Sequence, residues 1–116
     1  RGGWLVDLSP LKGMPLTQLV IANNPVRDLT PLSEMKTLTE FFCARTDVAD
    51  LSPLQKLPLK WLTIEDSRVV DLTPLTAMTE LESIVLSREK VQNFDILRRL
   101  PKLKTINGKP ISEIWK

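Results

Sequence analysis

The sequence predicts an α/β solenoid, with short parallel strands on a concave face and short helical turns on the convex side. Two observations predict it. The pentapeptide DLTPL at 28–32 recurs unchanged at 71–75, with near-copies DLSPL at 7–11 and 50–54 and a degenerate fifth copy, NFDIL, from Asn93. The copies begin at Asp7, Asp28, Asp50, Asp71 and Asn93, so their spacing alternates between 21 and 22 residues. A period of this size marks a unit that cannot bury its apolar edge alone and does so by stacking on its neighbours.

Aligned on these turns, the apolar residues form columns. They run through Leu8, Leu29, Leu51, Leu72 and Phe94; Leu11, Leu32, Leu54, Leu75 and Leu97; and Met14, Met35, Leu57, Met78 and Leu100. They continue through Leu16, Leu38, Leu59, Leu81 and Leu103, then Leu19, Phe41, Leu62, Ile84 and Ile106. Two shorter columns are Ile21, Cys43, Ile64 and Leu86, and Val26, Val48, Val69 and Val91. The whole of 1–116 reads as one domain of four repeats and a terminal fragment, its core built from aliphatics because there are only three Phe, three Trp and no Tyr.

From the N-terminus, Leu5 aligns with Val26, so the chain enters near the end of a repeat, and Trp4 is expected to fold over the first leucine layer. In each D-L-[ST]-P-L the Ser or Thr hydroxyl is expected to accept a bond from a free amide as a helix cap. Proline follows at the first helical position, where its missing amide costs nothing. The Asp sits near the positive end of that turn. The leucine after Pro and the Met or Leu three residues on share one face and point inward.

The next stretch alternates, as in LTQLVIANNPV at 16–26: Leu19 and Ile21 flank Val20, the pattern of a short strand with one face buried. After each strand the chain leaves the sheet through a bend whose backbone groups need partners. Asn24, Thr46 and Ser67 can supply them, whereas the fourth copy has Glu89 in that place, where the ladder is expected to weaken. At the C-terminus, Asn107-Gly108 is a turn signal, and Ile111, Ile114 and Trp115 are expected to fold back as a cap over about 107–116.

These features resemble the leucine-rich-repeat family, in its short-repeat, internalin-like bacterial form with D-[LI]-[ST]-P-L turns. LKGMPL at 11–16 and LPKLKTINGKP at 100–110 look like the repeat domains of planctomycete-type multidomain proteins and serine/threonine kinases. The resemblance spans about residues 5–111. It implies a curved leucine-rich-repeat solenoid with a concave parallel sheet, used to hold a protein or peptide.

Catalysis finds little footing. With no histidine, the commonest general base and the usual zinc ligand are missing together, and no metal or cofactor set is expected. The lone Cys43 falls in an aliphatic column and reads as a buried, unreactive thiol. Glu65 and Asp66 are adjacent, so on a strand they point to opposite sides and make a poor acid/base pair. A net charge of +2 points away from nucleic acid, although residues 88–116 carry +5 against −3 for the remainder. No apolar run approaches the length of a membrane helix.

The variable strand positions remain. Gln18, Glu40, Trp61, Ser83 and Thr105 form one column; Val20, Phe42, Thr63 and Val85 the next; Ala22, Ala44, Glu65 and Ser87 a third. Phe42 and Trp61 are diagonal neighbours on a face that should meet solvent, and large exposed aromatics are prominent among binding hot spots. Arg45, Asp66 and Arg88 are expected to continue the rim as a row of alternating charge. The expected partner-binding set is therefore Val20, Phe42, Arg45, Trp61, Glu65, Val85 and Arg88. The competing expectation is a structural or regulatory segment of a larger bacterial protein such as a kinase, with the aromatic patch docked internally.

Overall fold

A computed structural model describes residues 5–115; the expected role of Trp4 lies outside them. The six strands form one sheet in sequence order: β1 (Gln18–Val20), β2 (Glu40–Phe42), β3 (Trp61–Thr63), β4 (Ser83–Val85), β5 (Thr105–Ile106) and β6 (Lys109–Pro110). The first five pair in parallel, and β6 returns antiparallel to β5. Gln18 stands opposite Glu40, Glu40 opposite Trp61, Trp61 opposite Ser83 and Ser83 opposite Thr105, the register the repeat alignment predicts. The sheet is open, and the architecture is an α/β solenoid with short helical turns on the convex side.

The central strand residues Phe41, Leu62, Ile84 and Ile106 are buried, as are Leu38, Leu59, Leu81 and Leu103 before them and Cys43, Ile64 and Leu86 after them, whereas Val91 and Phe94 are only half-buried. The first repeat departs from the pattern. Met14 is 43% exposed, Leu5 is 37% exposed, and Leu11, Leu16 and Leu19 are only half-buried. Among the described residues no further strand lies against the outer edge of β1. In the same repeat Leu8, Ile21 and Val26 are fully buried, so the exposure is confined to Leu5, Leu11, Met14 and the residues around β1.

The helical turns are short 3-10 segments, of three residues at Ser9–Leu11, Thr30–Leu32 and Ser52–Leu54 and of five at Thr73–Ala77. Their capping differs from the sequence expectation. The Ser or Thr is the first helical residue, and the group that accepts its amide is the carboxylate two residues earlier: Asp7, Asp28, Asp50 and Asp71 each take the amide of Ser9, Thr30, Ser52 and Thr73 at 2.9 Å. The hydroxyl donates to the same carboxylate oxygen instead of receiving a bond. The reason is local. An Asp side chain reaches the amide two residues on in an Asx turn, and a carboxylate is a stronger acceptor than a hydroxyl.

These bonds hold all four aspartates below their ordinary pKa, the side-chain hydroxyl bond being the larger cause and the amide bond the next. A carboxylate with a depressed folded-state pKa contributes stability above its unfolded value and loses it as pH falls through the folded one. The acid limb of a urea-midpoint titration, below about pH 4, is therefore expected to steepen because of these groups. A variant with Asn at positions 7, 28, 50 and 71 is expected to show a flatter limb, and an unchanged one would remove these bonds from the account of acid stability.

The bends after the strands follow the side chains that sequence suggests. Thr46 Oγ1 donates to the Cys43 carbonyl at 2.9 Å, Ser67 Oγ to that of Ile64 at 2.7 Å, and Asn24 Nδ2 to that of Ile21 at 3.0 Å. At the fourth bend Glu89 supplies no such bond. The chain forms a 3-10 turn, Arg88–Lys90, and the Leu86 amide is taken by Asn107 Oδ1 at 2.8 Å, from the following repeat. Asn93 also acts on its neighbour: its side chain receives the Leu72 amide and donates to Asp71, both at 2.9 Å.

At the C-terminal end Asn107 and Gly108 both adopt positive φ, 53° and 80°, as a two-residue hairpin between the antiparallel, right-handedly twisted strands β5 and β6 requires. The chain then forms α1 (Ile111–Ile114). Ile111, Ile114 and Trp115 pack against the core, with the Trp115 ring 5.6 Å from that of Phe94.

Candidate functional site

The inner face is built by strand alternation. Because Leu62 and Ile64 turn into the core, Trp61, Thr63 and Glu65 must turn away from it, and the same holds for Glu40 and Phe42 around Phe41. Trp61 is 45% exposed and Val20 is 61% exposed, while Phe42, Thr63, Val85 and Glu65 are half-buried. The Phe42 and Trp61 rings meet edge to face, with centroids 5.4 Å apart and planes at 77°. This is the favourable arrangement for two ring quadrupoles.

Polar neighbours frame the pair. Gln18 Nε2 donates to Glu40 Oε1 at 3.1 Å, and Thr105 Oγ1 bonds Ser83 Oγ at 2.8 Å. Thr63 stands opposite Phe42. The ladder continues past β3 through the Arg45 amide, which donates to the Glu65 carbonyl at 2.9 Å, so Glu65 stands beside Ala44. Phe42 thus has Trp61 and Glu65 as its two diagonal neighbours on the adjacent chain segment. Glu65 Oε1 is shut from solvent without a hydrogen-bond donor. Strand alternation places Glu65 on this face but carries no signal that its oxygen is unpartnered, since that depends on side-chain packing.

The charged rim differs from the sequence expectation. Arg45 and Asp66 occupy matching left-handed positions, φ 56° and 55°, at the ends of their strands. Arg45 Nε donates to Asn23 Oδ1 at 2.6 Å, and Asp66 pairs with Lys90 at 3.5 Å. Arg88 does not continue this row. Its guanidinium lies over the Phe94 ring, 4.2 Å from the centroid, because the 3-10 turn at 88–90 displaces it from the bend position that Arg45 and Asp66 hold. Arg88 thereby joins Phe94, Trp115 and Arg98, whose guanidinium is 5.5 Å from the Trp115 ring, in a cluster at the C-terminal end. Of the other expected residues, Val20, Phe42, Trp61 and Val85 lie on the inner strand positions and Glu65 just past the end of β3, with Arg45 at their margin.

Cys43 lies beneath this face, fully buried, with Sγ 3.4 Å from Thr46 Oγ1. Burial pushes its thiol pKa up to about 11, against the lowering effect of Thr46. Native protein is expected to resist a disulfide-exchange reagent near neutral pH and to react once denatured; reaction of the folded chain within minutes would place the thiol outside the core. Among the described residues no group of three or more His, Cys, Asp or Glu converges as a metal site, and no helix is long and apolar enough to cross a membrane.

No protein-family model matches the chain, and no curated protein matches it. Solved structures do. An internalin (inlF) from Listeria monocytogenes superposes with a TM-score of 0.77 at 25% identity, covering 89% of this chain and 32% of the internalin. An internalin C2 (inlC2) from the same organism gives 0.67 at 25% identity, covering 86% of this chain and 55% of the other. The chain therefore spans about a third to just over half of the length of these internalins. The fold is an internalin-like leucine-rich-repeat solenoid.

Proposed function

We propose that this internalin-like leucine-rich-repeat chain is a non-enzymatic interaction module that binds a protein or peptide on its concave sheet face. The observation that carries the reading is the Phe42–Trp61 pair, two large rings in contact on the inner face with Trp61 45% exposed. The core is complete without them, since Phe41, Leu62 and Ile64 fill the interior side of the same strands. An exposed, preorganised aromatic pair offers a partner large apolar area at low entropic cost. Val20 and Val85 extend the apolar surface to either side, and Arg45 and Glu65 supply polar contacts at the margin. The likeness to internalins supports an interaction module in general.

The test uses the chain and its Phe42→Ala/Trp61→Ala variant as paired baits against lysate of the source cell. Partners held by the parent and released by a folded variant support the concave face. A folded variant that retains every partner refutes it.

A further inference from the structure

Resting on the reading of the concave face as the binding surface, we propose that its occupant is a polypeptide segment bearing a lysine or arginine, whose cation lies against the Phe42 ring and donates to the Glu65 carboxylate. Charge is the first support. Among the residues of the three inner columns only Glu40 and Glu65 are ionisable, and both are acids, although the chain as a whole carries +2. Of the bases around the face, Lys90 pairs with Asp66 and Lys104 with Glu82, both at 3.5 Å, Arg88 lies over Phe94, and Arg45 stands at the margin, held to the neutral Asn23 at 2.6 Å. The inner columns themselves thus carry two acids and no base, and complementarity favours a basic partner.

The two acids are not equivalent. Glu40 Oε1 receives a hydrogen bond from Gln18, whereas Glu65 Oε1 is withdrawn from water and receives none. An acceptor held in that state raises the cost of the carboxylate's charge, and a cation bonded to the other oxygen offsets that cost through the charge the two oxygens share. A cationic donor gains most, and a partner carboxylate is rejected because an ionised Glu accepts and does not donate.

Geometry is the second support. Phe42 faces Thr63 across the ladder, with Trp61 on one diagonal and Glu65 on the other. Such diagonals are about 7–8 Å long, within reach of one extended side chain. An edge-to-face pair leaves ring surface free of the other ring, and a cation within about 6 Å of an aromatic centroid is attracted by its quadrupole. A guanidinium or ammonium over Phe42 has the Glu65 carboxylate beside it, while the aliphatic stem or an adjacent apolar residue covers Trp61.

The experiment selects a phage-displayed random-peptide library on the full chain and counter-selects on Phe42→Ala/Trp61→Ala. Enriched peptides are synthesised with each arginine as citrulline or each lysine as acetyl-lysine, and titrated by fluorescence anisotropy against the parent and Glu65→Gln. The expected peptides share a Lys or Arg. Neutralising it, or Glu65, is expected to weaken binding about tenfold or more, and doing both to weaken it little further, since both remove one pair. The peptide-side change needs no protein variant, so the result stands even if Glu65→Gln folds poorly. Peptides that require the aromatics but bind equally well when neutralised would overturn this proposal and leave the concave-face reading intact. If no enriched peptide requires the aromatics, both readings fall.

Discussion

Phe42→Ala/Trp61→Ala is expected to lose about 30-fold or more in affinity for a concave-face partner while remaining folded. The affinity figure follows from the 2 kcal/mol or more that an aromatic hot spot carries. The stability loss should be close to the worth of the ring pair itself, roughly 0.5–1.5 kcal/mol, because neither ring fills the core. Urea melts of parent and variant, with partner titrations on the same samples, separate the two effects. A variant that melts several kcal/mol earlier would place the aromatics in the core, and one that binds unchanged would move the binding surface elsewhere.

Leu62→Ala should do the reverse, destabilising the chain by roughly 2–5 kcal/mol, as truncation of a fully buried leucine does. Leu62 is 0% exposed and sits between Phe41 and Ile84, both buried, with a complete strand on either side. Its counterpart Leu19, on the outermost strand, is only half-buried, so Leu19→Ala should cost clearly less. Denaturant melts of the two variants give the comparison directly. Equal losses, or a Leu62 loss below about 1 kcal/mol, would mean that the layers do not support one another as the stacked register implies.

The repeat alignment alone was sufficient for the strand register, because side-chain facing in a strand has a period of two and an error of one residue would place Trp61 inside and Leu62 outside. It was likewise sufficient for the bend ligands Thr46 and Ser67 and for the burial of Cys43, where local spacing and column membership leave little choice. The cap of the helical turn is not fixed by spacing, because the Ser or Thr is the first helical residue and not the cap. D-L-[ST]-P contains two acceptors: the carboxylate takes the amide of the Ser or Thr itself, and the amides that the hydroxyl would have capped go to backbone carbonyls instead, as Leu32 does to Leu29 and Ser33 to Thr30.

Other features belong to the tertiary structure because they depend on segments far apart in the chain. Arg88 shares its repeat position with Arg45 and Asp66, yet it turns to Phe94, whose ring is in turn backed by Trp115. The exposure of Met14 follows from what lies on either side of its layer, which a column cannot express. The isolation of Glu65 Oε1 is of the same kind: sequence places an acid on the inner face, but whether a donor reaches its oxygen is decided by the packing of neighbouring strands. Periodicity is a property of the repeat and survives in one dimension, whereas the individuality of the binding face arises from contacts between repeats and exists only once they are stacked.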